Sequence, residues 1–196
     1  MGRFVYWMNV SLDLRIEAVA GENGGGSWLR IGRGLHREFN ARARALSLGV
    51  EGRVVYEVME QYWPAVRNDE SADEVLREYG AIWTDMPKVL VSRSRSHADH
   101  NTRIIGGDDA IAQLAAVRAA TDGDIGVGGA ALATQLLEAH LLDELLLFTH
   151  PVVLGAGRPL FDRIDEPLQL DLLEQATYEG DVTLHRYAVR GARPTG

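Results

Sequence analysis

Apolar runs rich in β-branched and aromatic residues alternate with segments of helical periodicity along most of the chain. Residues 4–12 are apolar almost throughout and predict a buried first strand. Leu35, Phe39, Ala43 and Leu46 recur at helical spacing, which predicts an amphipathic helix over 34–45. A short strand at 46–50 and a second helix at 54–63 follow. Pro64 is expected to stop that helix, because proline lacks an N–H and its ring crowds the preceding turn. Residues 67–73 are polar and read as a loop. Further helices are expected at 72–83, 108–120 and 130–140, and strands at 87–92, 103–105, 124–127, 145–154, 168–172 and 181–189.

Strands that alternate with helices and then finish alone predict an α/β fold: one domain over 1–190, with a mostly parallel twisted sheet, antiparallel C-terminal strands and flanking helices. Two glycine-rich stretches stand apart. Residues 21–27 read as a loose surface loop, and 155–159 as a hairpin loop. Residues 191–196 read as a flexible tail.

Composition narrows the function classes. The 196 residues are 46% hydrophobic and 24% charged, the balance of a globular protein, and carry a formal charge of −8. An acidic surface repels phosphate backbones, so nucleic acid is not an expected partner. No apolar run reaches the roughly 20 residues that cross a bilayer, and no signal peptide is read at the N-terminus, so a cytoplasmic protein is expected. There is no cysteine, which excludes disulfides and the His/Cys zinc signature of the base deaminases.

Candidate chemistry lies where expected strands end. Gly128-Gly129-Ala130-Ala131 joins a strand to a helix; glycine lets a ligand approach the backbone, and the free N–H groups of a helix start favour an anion. Gly52-Arg53 stands at a second such junction. The macrodipole disfavours an arginine there unless its guanidinium faces a phosphate. Ser92-Arg93-Ser94-Arg95 follows a third strand and suits a 2′-phosphate. Each alone also reads as an ordinary turn; together they would line one sheet edge and suit an extended dinucleotide. Asp13, closing the first strand, could orient a substrate, relay a proton or simply cap a turn. His97, Asp99 and His100 show no third metal ligand at useful spacing, so no metal site is expected. His36 and Glu38 read as surface or rim groups.

These elements in this order resemble the dihydrofolate-reductase-like family. The likeness is greatest to the C-terminal reductase domain of the bifunctional riboflavin-biosynthesis deaminase/reductase and its stand-alone bacterial relatives. It is carried by Ser11-Leu12-Asp13, by Gly52-Arg53 with Tyr56-Glu57, by Val91-Ser92-Arg93, by residues 124–130, and by His150-Pro151 through Arg158-Pro159-Leu160-Phe161. The resemblance implies an NADPH-dependent reductase of a small pterin-like or ribosylaminopyrimidine-like substrate, working as a homodimer. The alternative is a nucleotide-binding module that kept the fold without turnover. Gly52, Arg53, Val54, Ser92, Arg93 and Ser94 would hold the adenosine 2′-phosphate end of the cofactor. Gly128, Gly129, Ala130 and Ala131 would meet the pyrophosphate, and Asn9, Val10 and Ile16 would flank the nicotinamide. Asp13 would lie near the substrate. The sequence departs from the family pattern at Leu14 and Val55, where glycine and threonine are usual, and at Leu35, where folate reductases carry an acid.

Overall fold

The computed structural model describes residues 1–19, 21 and 26–191. Within the 21–27 loop, residues 22–25 lie outside the described residues, as do 192–196 of the expected tail. The chain opens with β1 (Arg3–Ser11) and β2 (Arg15–Glu17), then α1 (Arg33–Ala45), β3 (Leu48–Gly52), α2 (Arg53–Arg67) and α3 (Glu74–Asp85). Next come β4 (Lys88–Val91), β5 (Thr102–Ile105), α4 (Ala110–Ala120), β6 (Asp124–Gly128) and α5 (Ala130–Glu138). The chain closes with β7 (Leu142–His150), β8 (Arg158–Pro159), β9 (Leu170–Tyr178) and β10 (Val182–Val189).

Eight strands form one sheet in the order β5-β4-β3-β6-β1-β7-β10-β9. All pairings from β5 to β7 are parallel, and β10 lies antiparallel to both β7 and β9. This is the expected α/β architecture. Parallel strands need both faces covered, and the alternation along β1 shows how that is met. Phe4, Tyr6 and Val10 pack with Leu114 and Val117 of α4 and with Ala133 and Leu136 of α5. Val5 and Trp7 face the other way, onto Leu35 and Phe39 of α1 and Phe148 of β7. Tyr56 of α2, Trp83 of α3 and Leu90 of β4 fill a third cluster.

Several local expectations are corrected. Helix α2 runs through Pro64 to Arg67. Its last turn is held by α3: a Cβ on Gly80 would stand 2.7 Å from the Trp63 carbonyl oxygen, so glycine permits a close crossing. The Arg67 guanidinium donates to Thr84 and, at 2.6 Å, to Asp85. Strand β7 starts and ends earlier than expected. Leu142 already pairs with Phe4, and Pro151, which lacks an N–H, follows its end. Residues 155–159 are not a hairpin loop, since Arg158 and Pro159 pair antiparallel with β2. His36 is buried, edge-on to Tyr79 and Trp63 and bonded to Asn40, because α3 covers that side of α1. Leu14 keeps a tight turn in the left-handed region at φ 56°. The strain is offset by local bonds: Leu14 N–H donates to the Ser11 carbonyl, and the Leu14 carbonyl accepts from Leu160 N–H.

The start of α1 carries no acid of its own. Glu179, in the turn between β9 and β10, supplies one: its Oε1 accepts from Gly34 N–H at 2.6 Å and Leu35 N–H at 3.1 Å. Glu179→Ala is expected to lower stability by about 1 kcal/mol, the usual worth of a helix cap. Urea denaturation checks this; an unchanged midpoint would show that water caps the helix equally well. Among the described residues, no helix is long and apolar enough to cross a membrane.

Candidate functional site

A cleft of about 800 Å³ runs along the carboxyl ends of the parallel strands. That volume suits a cofactor-sized ligand. The starts of α2, α5 and α4 all line it, through Gly52–Val55, Gly129–Leu132 and Gly106–Ile111. None of the three has an acid in its first turn or a side chain capping its N-terminus. By contrast, Asp73 caps α3 and Glu179 caps α1, and both of those helices start outside the cleft. The helix starts that keep their N–H groups and positive dipole ends free of a cap are therefore the ones that face the cavity.

Glycine shapes this wall. Gly129 sits at φ 110° and ψ 127°, a conformation that side chains resist, and delivers the chain from β6 into α5. Gly106 lies so close to the end of β4 that a Cβ would stand 2.3 Å from the Ser92 carbonyl oxygen. The turns after β4 and β5 are thereby pressed side by side.

The structure brings most of the expected residues together. Gly52, Arg53, Val54, Ser92, Arg93, Ser94, Gly129, Ala130, Ala131 and Ile16 all line the cleft. Gly128 stands directly behind, as the last residue of β6. The four residues after β4 divide their labour. Ser92 Oγ accepts from the N–H groups of Ser94 and Arg95 and so shapes the turn. Arg95 turns away, bonded through both terminal nitrogens to Glu60 and stacked over Tyr56. Arg93 is exposed and has no hydrogen-bond or ion-pair partner among the described residues. Arg53 also reaches the cleft, sharing its charge with Glu57 at 2.8 Å.

Three expected residues are placed elsewhere. Asn9 points to the opposite face of β1 from Met8, toward His150 Nε2 at 3.1 Å. Val10 is fully buried in the core. Asp13 does not line the cleft. Its carboxylate accepts from Ser11 Oγ at 2.7 Å, Leu154 N–H at 3.0 Å and Gly155 N–H at 2.8 Å. The backbone bond from Leu154 leads in pulling its pKa down to about 2, so it is ionised at neutral pH and holds no proton to deliver. This is the turn-capping arrangement. His97 pairs with Asp99 at 3.0 Å, and the His100 ring packs against Trp83. No group of three or more His, Cys, Asp or Glu among the described residues could hold a metal ion.

Residues not expected complete the cleft. Met8, Glu17 and Arg158 join Ile16 at the end opposite Arg93, with Gln135 of α5 nearby. Glu17 and Arg158 face one another in the β2–β8 ribbon. That ribbon needs Gly157, where a Cβ would collide with the Glu17 carbonyl oxygen at 1.9 Å. The Gly106-Gly107-Asp108 turn was open to recognition, since it too follows an expected strand and starts an expected helix.

Comparison with known proteins adds independent support. A model of the family described as RibD C-terminal domain matches residues 5–184. The Bacillus subtilis (strain 168) protein YyaP, itself uncharacterised, is 28% identical over 181 residues, which are 92% of this chain and 91% of that protein. In structure, the chain is similar to a protein from Shewanella sp. PV-4 named for riboflavin biosynthesis, with a TM-score of 0.70 at 17% identity, over 96% of this chain and 99% of that one. It is also similar to the Thermotoga maritima diaminohydroxyphosphoribosylaminopyrimidine deaminase/5-amino-6-(5-phosphoribosylamino)uracil reductase, with a TM-score of 0.62 at 13% identity, over 95% of this chain and 56% of that protein. At these identities the structural likeness shows the fold.

Proposed function

This chain belongs to the RibD C-terminal domain family, and from that premise we propose that it is an NADPH-dependent reductase of a small heterocyclic or sugar-derived substrate. The observation that supports this most is the convergence of three uncapped helix starts and the unpartnered Arg93 on one cleft. Such an arrangement suits a ligand with separated anionic groups. The Gly129 turn would take the pyrophosphate on the N–H groups of Ala130 and Ala131. Arg93, with Arg53 beside it, would take the 2′-phosphate. Met8 and Ile16 would bound the nicotinamide end with apolar surface. When bound, the reduced cofactor supplies the hydride that a C=N or C=O group accepts. The chain's own part is to orient the two partners and exclude water. Because Asp13 stays ionised, an ordered water is the proposed source of the proton.

A second reading takes NADH instead. Asp108 brings a carboxylate to the Arg93 end of the cleft, and a carboxylate there suits a ribose hydroxyl better than a phosphate. Titrating the protein with each nucleotide, followed by calorimetry, separates the two. NADPH is expected to bind more tightly, and Arg93→Ala to weaken NADPH about ten- to hundredfold, the loss of a charge-assisted contact of about 1.5–3 kcal/mol, with little effect on NADH. Equal loss for both nucleotides would remove Arg93 from the 2′-phosphate. Failure of both to bind at millimolar concentration would overturn the reductase reading, whereas tight binding without turnover of any pterin or flavin precursor would favour the non-catalytic module. The cytoplasmic homodimer completes the proposal. Dimerisation is supported by β9, which leaves one edge of the sheet open and exposes Leu172 and Leu173, and the mass in solution tests it.

A further inference from the structure

Behind the cleft wall lies an ionisable group that none of this chemistry uses. Glu51 is the residue before Gly52, and it is only 8% exposed. Its Oε1 accepts from Trp83 Nε1 at 2.9 Å, while Oε2 is buried without a hydrogen-bond partner. Its Cγ stands 3.6 Å from where a Cβ on Gly128 would be, and Glu51 pairs with Gly128 in the β3–β6 register. The Glu51 side chain therefore packs, with Val55 beside it, against the glycine backbone that leads into the Gly128-Gly129 turn.

The groups around it are few. From β4, Lys88 is the charged group that faces it; its ammonium donates to the carbonyls of Trp83 and Met86 and lies 4.5 Å from the Trp83 ring centroid. From α3 come Trp83 and the half-buried Tyr79, whose hydroxyl the Glu51 charge helps to hold above its ordinary pKa, after desolvation. From α2 comes Tyr56, whose ring packs on Trp83 at 5.8 Å. Lys88 directs two of its three protons to carbonyls and makes no hydrogen bond to Glu51 Oε2, which stays unsatisfied.

A buried carboxylate with an unmet oxygen lowers its cost by taking a proton. Burial pushes Glu51 up to about 7, against the opposing pull of the Trp83 N–H and the Lys88 charge. An anion on the adjacent turn adds a like charge across a medium of low dielectric, which favours the proton further.

We infer that Glu51 is a proton-binding site coupled to the cofactor: its carboxyl takes up a proton from solvent when a pyrophosphate settles on the Gly128-Gly129 turn, and returns it when the anion leaves. The inference rests on the cofactor reading above. The coupling is reciprocal, so the protonated protein binds the anion more tightly and affinity falls as pH rises through the Glu51 titration. Deprotonation of Lys88, whose pKa burial lowers to about 8, acts in the same direction at higher pH.

The test has two readouts. In the free protein, the ¹⁵N–¹H resonance of the Trp83 indole, assigned with Trp83→Phe, should titrate near neutral pH and stop doing so in Glu51→Gln. Saturating NADPH should raise that midpoint by about one unit, equivalent to about a tenfold difference in affinity between the two protonation states. Calorimetry of the wild-type protein at pH 7.5, in buffers of different ionisation enthalpy, should show net proton uptake on NADPH binding, and this needs no variant to fold. The cofactor's own 2′-phosphate, with a pKa of about 6, is common to wild type and Glu51→Gln and cancels in their difference. A flat indole resonance across pH 5.5–8.5 in the free protein overturns the inference whatever the cofactor does. NADPH binding with an unmoved midpoint and no proton uptake overturns the coupling alone. Absence of NADPH binding overturns the reductase reading and the coupling with it.

Discussion

Asp143→Ala is expected to destabilise the protein by about 3–5 kcal/mol, the usual result of stranding a buried charge. Arg118, in the last turn of α4, is 3% exposed and donates through Nη2 to Asp143 at the start of β7. The other Asp143 oxygen accepts from Phe4 N–H of β1 at 2.7 Å. One carboxylate thus joins a helix to two central strands, and its loss leaves a guanidinium and a backbone donor without acceptors. The pair itself is not a strong net source of stability. Burial leads over Arg118 and the hydrogen bonds and holds the Asp143 carboxyl above its ordinary pKa, and Arg118 Nε is already buried without a partner. The double replacement Arg118→Met with Asp143→Leu should therefore recover most of the loss, because removing both charges removes both desolvation costs. Urea denaturation of the single and double variants measures this. A single-variant loss under about 1 kcal/mol, the range of exposed pairs, would show that water reaches the guanidinium. Because Arg118 fixes one end of α4 and the other end lines the cleft, Asp143→Ala should also weaken nucleotide binding in proportion to fraying of that helix.

What local sequence reveals and what it hides separate along a physical line. The turns at Gly52, Ser92 and Gly128 were legible because each depends on a strand, a few special residues and a helix within one stretch of chain. The same logic covered the alternation of strands and helices along the chain that builds the sheet's parallel half. Arg93 and Arg95 could not be told apart locally: which guanidinium reaches the cleft is decided by Glu60, on a helix packed across the turn. Passage of α2 through Pro64 likewise depends on Gly80 of another helix. The β2–β8 ribbon is too short for any pattern and joins segments more than 140 residues apart, so Glu17 and Arg158 gave no warning that they would share a wall. Glu51, between Val50 and Gly52, reads locally as one polar residue in a strand; its burial follows from Trp83 and Lys88 closing over it.

Gly129→Ala should carry the largest functional loss among substitutions that add a single methyl group. The added Cβ would have room, its nearest neighbour being Val55 Cγ2 at 3.5 Å. The obstacle is the backbone. At φ 110° and ψ 127°, Gly129 lies where residues with a Cβ are strained by about 1–3 kcal/mol. Relief requires turning the peptide that leads into α5, which re-aims the N–H groups of Ala130 and Ala131, and each displaced bond to a charged ligand is worth about 1.5–3 kcal/mol. Nucleotide affinity should therefore fall by about ten- to hundredfold, alike for NADPH and NADH, since both share the pyrophosphate. Gly128→Ala offers the contrast. Its φ is outside the left-handed region, and its Cβ would meet Val55 Cγ1 at 3.1 Å, on a side chain that can shift by a few tenths of an ångström, and Glu51 Cγ at an ordinary contact distance of 3.6 Å. Its effect should be several-fold smaller. Calorimetric titration of both variants with both nucleotides measures the difference. Equal, small losses for the two would mean that the anion does not rest on the N–H groups behind Gly129, and that Arg93 and the start of α2 hold it instead.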